Sequence, residues 1–317
     1  MPRRWSRAAL TVLVTGLCAA YILWQIDVGK AARELGRADY GYFAAAVAIM
    51  AGSVAPMAWR WQRLLAARGI DDRLGWLSRT YFVAYTVGQV LPTSLGGDAS
   101  RIFETSRRHT GHTGAIAGSV VLERALGGAT TLTLAADGFA LAVGRYDIGG
   151  YLWLELVFVV VTVGAWIVLF SRSARRLLAV AVPLLRRVRL ERPLRALYEG
   201  IHAYREHAAL LGWMFALTLV VQAVRVLAIW LAGKAVGVDL SPRPYYVMGP
   251  LLFLVMLVPF TINGLAVREA FFVSFLGQLG VDRSVAFDTG FLFFLVTIAL
   301  SLPGLAILGW EGLRRAR

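Results

Sequence analysis

The chain is 317 residues long, 58% hydrophobic and only 16% charged, and its mean hydropathy of +0.64 excludes an ordinary water-soluble domain. The formal net charge of +14 sits in blocks between apolar runs, which is the pattern of cytoplasmic loops and not of a nucleic-acid-binding face. Cys18 is the single cysteine, so neither an intramolecular disulfide nor a thiolate metal site can form.

A membrane-crossing helix needs about 20 apolar residues. Six segments qualify, at roughly 8–24, 41–59, 114–142, 151–170, 208–232 and 285–310, which predicts an all-α integral membrane protein with a single membrane domain over 1–317. The first segment follows Arg3, Arg4 and Arg7 as a signal peptide core would. No small-residue cleavage site follows it, so it reads as a retained span with the amino end in the cytoplasm. Arg60, Arg63, Arg68, Arg73 and Arg79 place the loop after the second span inside as well. Residues 80–112 then leave from and return to inside signals, ending near Arg107 and Arg108, and the arm 80–91 is only about half a bilayer long at roughly 1.5 Å per residue. A re-entrant hairpin entered from the cytoplasm is expected there.

Span three emerges at a short loop around Arg145 and Asp147, and span four returns to residues 171–207, the most arginine-rich stretch of the chain. Leucines and valines between those arginines predict a basic cytoplasmic amphipathic segment lying on the anionic inner leaflet. Span five leaves again, residues 245–280 form a second hairpin entered from outside, and span six brings Arg314, Arg315 and Arg317 back to the cytoplasm. Both termini are expected inside.

The two hairpins carry one pattern at identical spacing. In Leu91-Pro92-Thr93-Ser94-Leu95-Gly96-Gly97-Asp98-Ala99-Ser100-Arg101 and in Val258-Pro259-Phe260-Thr261-Ile262-Asn263-Gly264-Leu265-Ala266-Val267-Arg268 an apolar residue precedes Pro, a Gly lies five positions after it and an Arg nine. Proline and glycine break helices, and an arginine within a bilayer is costly unless it has a task. Pro92, Gly96, Gly97, Pro259 and Gly264 are therefore expected to shape the hairpin tips. Three crossings per unit turn the second unit over, so residues 1–142 and 151–310 read as two inverted-topology repeats, a design that suits alternating access around a site at the midplane.

Each tip starts a new helix after its glycine, and the unsatisfied N–H groups and positive dipole end of a helix start attract an anion. Asp98 is expected as N-cap with Arg101 on the first turn behind it, while Asn263 and Gly264 play that part before Arg268 and Glu269. Thr93, Ser94 and Thr261 add hydroxyl donors. Together these predict a substrate site for a phosphate-bearing group, which guanidinium binds in bidentate fashion. Glu123 and Arg124 lie about ten residues into span three, near the bilayer centre, and being adjacent they point in different directions. One is expected to meet a hairpin residue, Glu123 with Arg101, and the other to face the cavity. Arg225, one turn from Gln222 in span five, is a further intramembrane cation, and an ion pair between Arg268 and Glu269 is the structural alternative for that arginine.

No catalytic residue, metal site or cofactor is predicted. His109, His112, His202 and His207 fall in cytoplasmic segments without a convincing metal-ligand spacing, and no Walker lysine motif supports ATP-driven transport.

Leu91-Pro92 through Gly96-Gly97-Asp98 to Arg101, then Leu122-Glu123-Arg124, then Asn263-Gly264 to Arg268-Glu269 resemble the flippase-like domain family, the transmembrane region of lysylphosphatidylglycerol synthases and flippases. The resemblance covers nearly the whole chain. It implies a bacterial inner-membrane lipid translocase, with an anionic phosphate-bearing lipid as partner, no nucleic acid, and a homo-oligomer or a lipid-modifying enzyme as further partners. The chain ends soon after span six, so it is expected to be a stand-alone member without the cytoplasmic aminoacyl-transferase domain. The alternative is an intramembrane enzyme or an accessory subunit in polyprenyl-phosphate glycolipid synthesis.

Overall fold

The computed structural model describes residues 38–90, 95–142, 202–257 and 267–316, with isolated positions elsewhere. The expected spans at 8–24 and 151–170 and most of the basic stretch 171–207 lie outside the described residues, as do residues 91–94 and 258–266 of the two hairpin tips. The described residues are mostly helical, in nine α-helices and one 3-10 turn joined by short loops. These are α1 (Tyr40–Gly52), α2 (Val54–Ala66), α3 (Leu74–Val90), α4 (Leu95–Arg108), α5 (Thr113–Ala142), the turn Ala203–Glu206, α6 (Ala208–Ala235), α7 (Arg243–Leu257), α8 (Val267–Gln278) and α9 (Arg283–Ala316).

Among the described residues three helical stretches are long and apolar enough to cross a membrane: Tyr40–Ala66, Ala208–Ala235 and Arg283–Arg314. The first is α1 and α2 in tandem. Pro56 lacks the N–H that would bond one turn back, and the interruption falls at Ser53, which keeps helical φ and ψ of −63° and −18°. Its hydroxyl is satisfied by the Met50 carbonyl at 2.7 Å. Asp39 caps α1 by accepting from the Gly41 N–H at 2.8 Å. The second stretch, α6, ends where Gly237 takes a φ of 88°, letting the Val238 N–H turn back to the Gly233 carbonyl at 2.9 Å as helix ends in the left-handed region do. Asp282 caps α9 through the Ser284 N–H at 2.8 Å. At most half of the most apolar window of each of the three is buried within the protein, so their outer faces, including Trp213, Val220, Leu302 and Trp310, are apolar and uncovered. Lipid is the solvent that matches such a surface.

Helix α5 spans 30 residues, close to the expected 114–142. It is not among the three apolar stretches, and it carries Glu123, Thr130 and Thr131 buried, Arg124 part-buried and Asp137 exposed. The paired helices differ from the expected hairpin arms in length. Helix α3 begins at Leu74 and runs 17 residues, and α4, α7 and α8 have 14, 15 and 12. At about 1.5 Å per residue the longest reaches about 25 Å, short of the roughly 30 Å hydrocarbon core.

Packing follows the apolar faces. Helix α3 lies along α9 and against α4, α7 lies along α5, α8 lies against α9, and α6 lies along α1. Trp61 is fully buried at the junction of α2, α3 and α5, donating its indole N–H to the Ser119 hydroxyl at 2.9 Å. A second core gathers Phe272, Phe275, Tyr245 and Met248 between α7, α8 and α9. The short turn before α6 is fastened by Tyr204, fully buried, whose hydroxyl donates to the Leu64 carbonyl at 2.7 Å.

Candidate functional site

A cavity of about 350 Å³ opens within the bundle, with lining residues from each of α1 to α9. Among the described residues five arginines line it, Arg60, Arg101, Arg124, Arg225 and Arg268, with two carboxylates, Asp98 and Glu123. Leu252, Phe253, Met256, Phe293 and Leu300 supply an apolar wall. A concave site that is mainly apolar with a few convergent charged groups is the usual form of a small-molecule pocket.

Glu123 on α5 is the hub. Its Oε1 accepts from Arg60 Nε at 3.1 Å and Nη2 at 3.0 Å, its Oε2 accepts from Arg101 Nη1 at 2.9 Å, and the Tyr81 hydroxyl donates to the same carboxylate at 2.9 Å. The third donor of Arg60, Nη1, goes to the Thr218 hydroxyl on α6 at 2.7 Å. Arg60, Arg101 and Glu123 are all buried. Buried charges persist only when paired and fully hydrogen-bonded, and here α2, α3, α4, α5 and α6 each contribute one partner.

Arg101 turns its other nitrogen, Nη2, to Asp98 Oδ1 at 2.7 Å, and its guanidinium plane lies 4.2 Å from the Tyr81 ring and 4.8 Å from the Trp61 ring. Stacking on aromatic faces suits arginine's weakly hydrated, delocalised charge. Asp98 Oδ2 accepts from Arg124 Nε at 2.5 Å. Arg124 is 35% exposed, and it reaches the cavity. Glu123 and Arg124 thus point to different partners, Glu123 meets Arg101, and one chain of charges runs from Arg60 through Glu123, Arg101 and Asp98 to Arg124.

The N-cap expected at Asp98 is corrected by the structure. Helix α4 begins at Leu95, so Asp98 sits inside the first turn, where its charge still suits the helix start but its oxygens serve arginines. Gly96 and Gly97 are helical. Gly97 is needed for close approach and not for a positive φ: a Cβ there would lie 2.6 Å from the Ala84 carbonyl oxygen of α3.

On the other helix pair, Arg268 is almost fully buried, 2% exposed. Its Nη2 and Nε donate to Glu269 Oε1 at 2.5 and 3.0 Å, and its guanidinium lies 4.6 Å from the Phe294 ring. Glu269 is buried beside it without lining the cavity. Pro92, Thr93, Ser94, Pro259, Thr261, Asn263 and Gly264 fall outside the described residues.

Sequence reasoning missed Arg60, Tyr81 and Thr218. Arg60 reads as the first residue of a cytoplasmic charge block, but α2 continues to Ala66 with Ala58, Trp61, Leu64 and Leu65 buried. Apolar residues at 58, 61 and 65 follow helical spacing past the arginine, and that continuation is the signal that could have kept Arg60 within the bundle.

An amphipathic cavity lined by arginines and apolar side chains, set among helices with apolar outer faces, marks a helical membrane protein with a charged internal cavity. The sequence model described as the lysylphosphatidylglycerol synthase TM region matches residues 8–304. The chain belongs to that family, and its role is related to membrane lipids. No curated protein and no solved structure matches it.

Proposed function

We propose that the protein translocates a phosphate-bearing lipid, or a lipid-linked phosphate headgroup, between leaflets of the bacterial inner membrane by alternating access. The observation that carries this reading is the cavity itself, with five arginines facing two carboxylates across a space whose other wall is apolar. Guanidinium forks match phosphate oxygens, and the apolar wall suits acyl or prenyl chain. In this reading Arg101, Arg268, Arg124, Glu123, Asp98 and Glu269 form the membrane-embedded site, and Asn263, Thr93, Ser94 and Thr261 join it at the tips.

The alternating-access part rests on a reciprocity of packing. Helix α3 lies on α9 as α7 lies on α5, and α4 meets α5 as α8 meets α9. Closest approach is made by a glycine in both cases. A Cβ on Gly304 of α9 would collide with the Phe82 carbonyl of α3, and one on Gly138 of α5 with the Tyr246 carbonyl of α7. Each short pair is thus seated against the long helix of the other half, the arrangement that two interlocked inverted repeats would have. Six full spans, two re-entrant hairpins, repeats at 1–142 and 151–310, and cytoplasmic termini complete the proposal.

The test is lipid movement by the purified full chain in proteoliposomes containing fluorescent phosphatidylglycerol in both leaflets. Dithionite added outside should bleach the inner-leaflet pool as well, with protein-free vesicles retaining it. Equal retention in both would overturn translocation. A chain that moves no lipid but raises the activity of a polyprenyl-phosphate glycosyltransferase would replace it with the accessory-subunit reading.

A further inference from the structure

We infer that the direct phosphate-binding residue of this cavity is Arg225, supported by Gln222, and that the hairpin arginines Arg101 and Arg268 shape the site around it. This rests on the lipid reading above and goes further by naming the contact and the chemical class, a phosphate ester.

The five cavity arginines divide by their partners. Arg60 and Arg101 hold Glu123, Arg124 and Arg101 hold Asp98, and Arg268 holds Glu269. Arg225 differs. Its Nε lies 3.5 Å from Met50 Sδ and its Nη1 3.8 Å from Met57 Sδ, and among the described residues it makes no ion pair. Thioether sulfur is a weak acceptor. A guanidinium within a bilayer bundle whose neighbours are two sulfurs lacks the compensation that its four companions have, so the strongest unfilled demand for an anion in the cavity is here.

Position agrees with that demand. Gln222 lies one helical turn before Arg225 on α6 and lines the same cavity. Its amide N lies 3.5 Å from the Thr131 hydroxyl, a long contact that leaves its donors available. Arg124 faces the same space from α5. An anion at Arg225 therefore meets a planar fork, an amide donor and a second cation. Met50 and Met57, flexible and polarisable, can yield to headgroups of different shape. By contrast Arg101 and Arg268 are buried at 4% and 2% exposure, with aromatic rings against their faces, and a phosphate reaching either competes with a carboxylate already in place.

The experiment measures binding of a fluorescent phosphatidylglycerol to the purified full chain in non-ionic detergent, with diacylglycerol of the same chains and inorganic phosphate as competitors. Arg225→Gln should weaken phosphatidylglycerol binding about ten- to a hundredfold, the effect of losing a charged hydrogen bond, and leave diacylglycerol competition unchanged. Arg225→Lys should recover part of the loss, because it keeps charge without the fork. Met57→Glu gives Arg225 an internal carboxylate like its companions and should abolish phosphatidylglycerol binding in a protein at least as stable as the native one. Unchanged affinity in both Arg225→Gln and Met57→Glu overturns the assignment while leaving translocation standing, provided the native chain binds and moves the lipid. Inorganic phosphate competing at the same concentration as phosphatidylglycerol supports an anion subsite at Arg225 and overturns the lipid reading. Native protein that binds no phosphatidylglycerol overturns both.

Discussion

The helix pairs α3–α4 and α7–α8 begin from the same sequence pattern, yet they are attached to the rest of the molecule differently. Arg101 in the first pair is tied through Glu123 to α5 and from there to Arg60 on α2, and the pair is further clamped by Arg79, which reaches Glu104 on α4 and Glu311 on α9, both at 2.6 Å. Asp72, ahead of α3, also holds Arg108 and His109 at the end of α4, at 2.9 and 2.7 Å. Arg268 in the second pair pairs with the carboxylate of its own chain neighbour, Glu269, and its guanidinium lies over an aromatic ring on α9. The same proline–glycine–arginine spacing therefore yields one arginine that bridges to other helices through Glu123 and one whose ion pair is with a carboxylate on its own helix.

The largest effect that tests this comparison is all-or-none. With Cys18 replaced by serine, single cysteines at Arg73 and Arg108 should both label with a membrane-impermeant thiol reagent from the cytoplasmic side, and cysteines at Asp147 and Asp239 only from outside. Asp239 is fully exposed beside Lys234, and Arg108 is about half exposed, so access does not limit the outcome. Labelling of 73 and 239 from one side would remove the opposed orientation of the two pairs, and with it the inverted repeat.

Next in size is the difference between the two counter-ions. Glu123→Gln removes the charge shared by Arg60 and Arg101, both buried, while Glu269→Gln removes the carboxylate that pairs with Arg268. Breaking a buried pair by deleting one partner costs about 3–5 kcal/mol, and Glu123→Gln should lie at the upper end because Arg60 loses its ion-pair partner and Arg101 keeps only Asp98. Thermal unfolding in detergent, read as the order of midpoints, should place Glu123→Gln below Glu269→Gln and both below the native chain. Equal midpoints for the two variants would show that the wiring of the first pair carries no extra stability.

Much of this architecture is written in local pattern. The apolar runs at 208–232 and 285–310 become α6 and α9, and the run at 114–142 becomes α5 nearly residue for residue, because a long apolar segment in lipid has no alternative to the helix. The adjacency of Glu123 and Arg124 also forces them to different partners on helical geometry alone. What local pattern does not carry is pairing across distance. Arg60 and Glu123 are 63 residues apart, Arg60 and Thr218 are 158 apart, and charge counting along the chain assigned Arg60 to a loop because arginine near an apolar boundary looks cytoplasmic until a carboxylate from another helix is known to meet it. Asp98 was misplaced for a related reason. A short acidic residue after two glycines has the composition of a cap, and only the helix start at Leu95 shows that its oxygens are committed to Arg101 and Arg124.

The smallest effect separates shared packing from unequal electrostatics. If the two short pairs are seated on α9 and α5 by equivalent contacts, Gly304→Ala and Gly138→Ala should cost similar amounts, despite the contrast between Arg101 and Arg268. Each added Cβ meets backbone, the Phe82 carbonyl in one case and the Tyr246 carbonyl in the other, and backbone cannot rotate away as a side-chain tip can. Inserting a methyl into such a contact costs about 1–3 kcal/mol, less than removing the carboxylate that joins Arg60 and Arg101. At the first seat the Thr86 hydroxyl also donates to the Ser301 carbonyl at 2.6 Å and Gln89 to the Thr297 carbonyl at 3.2 Å, so forcing α3 off α9 loosens side-chain bonds along with the glycine contact. Gly304→Ala should accordingly be the more destabilising of the two by a small margin in the same unfolding assay. A loss at Gly304 with none at Gly138 would mean that α7 tolerates displacement from α5, and the two seats would not be equivalent.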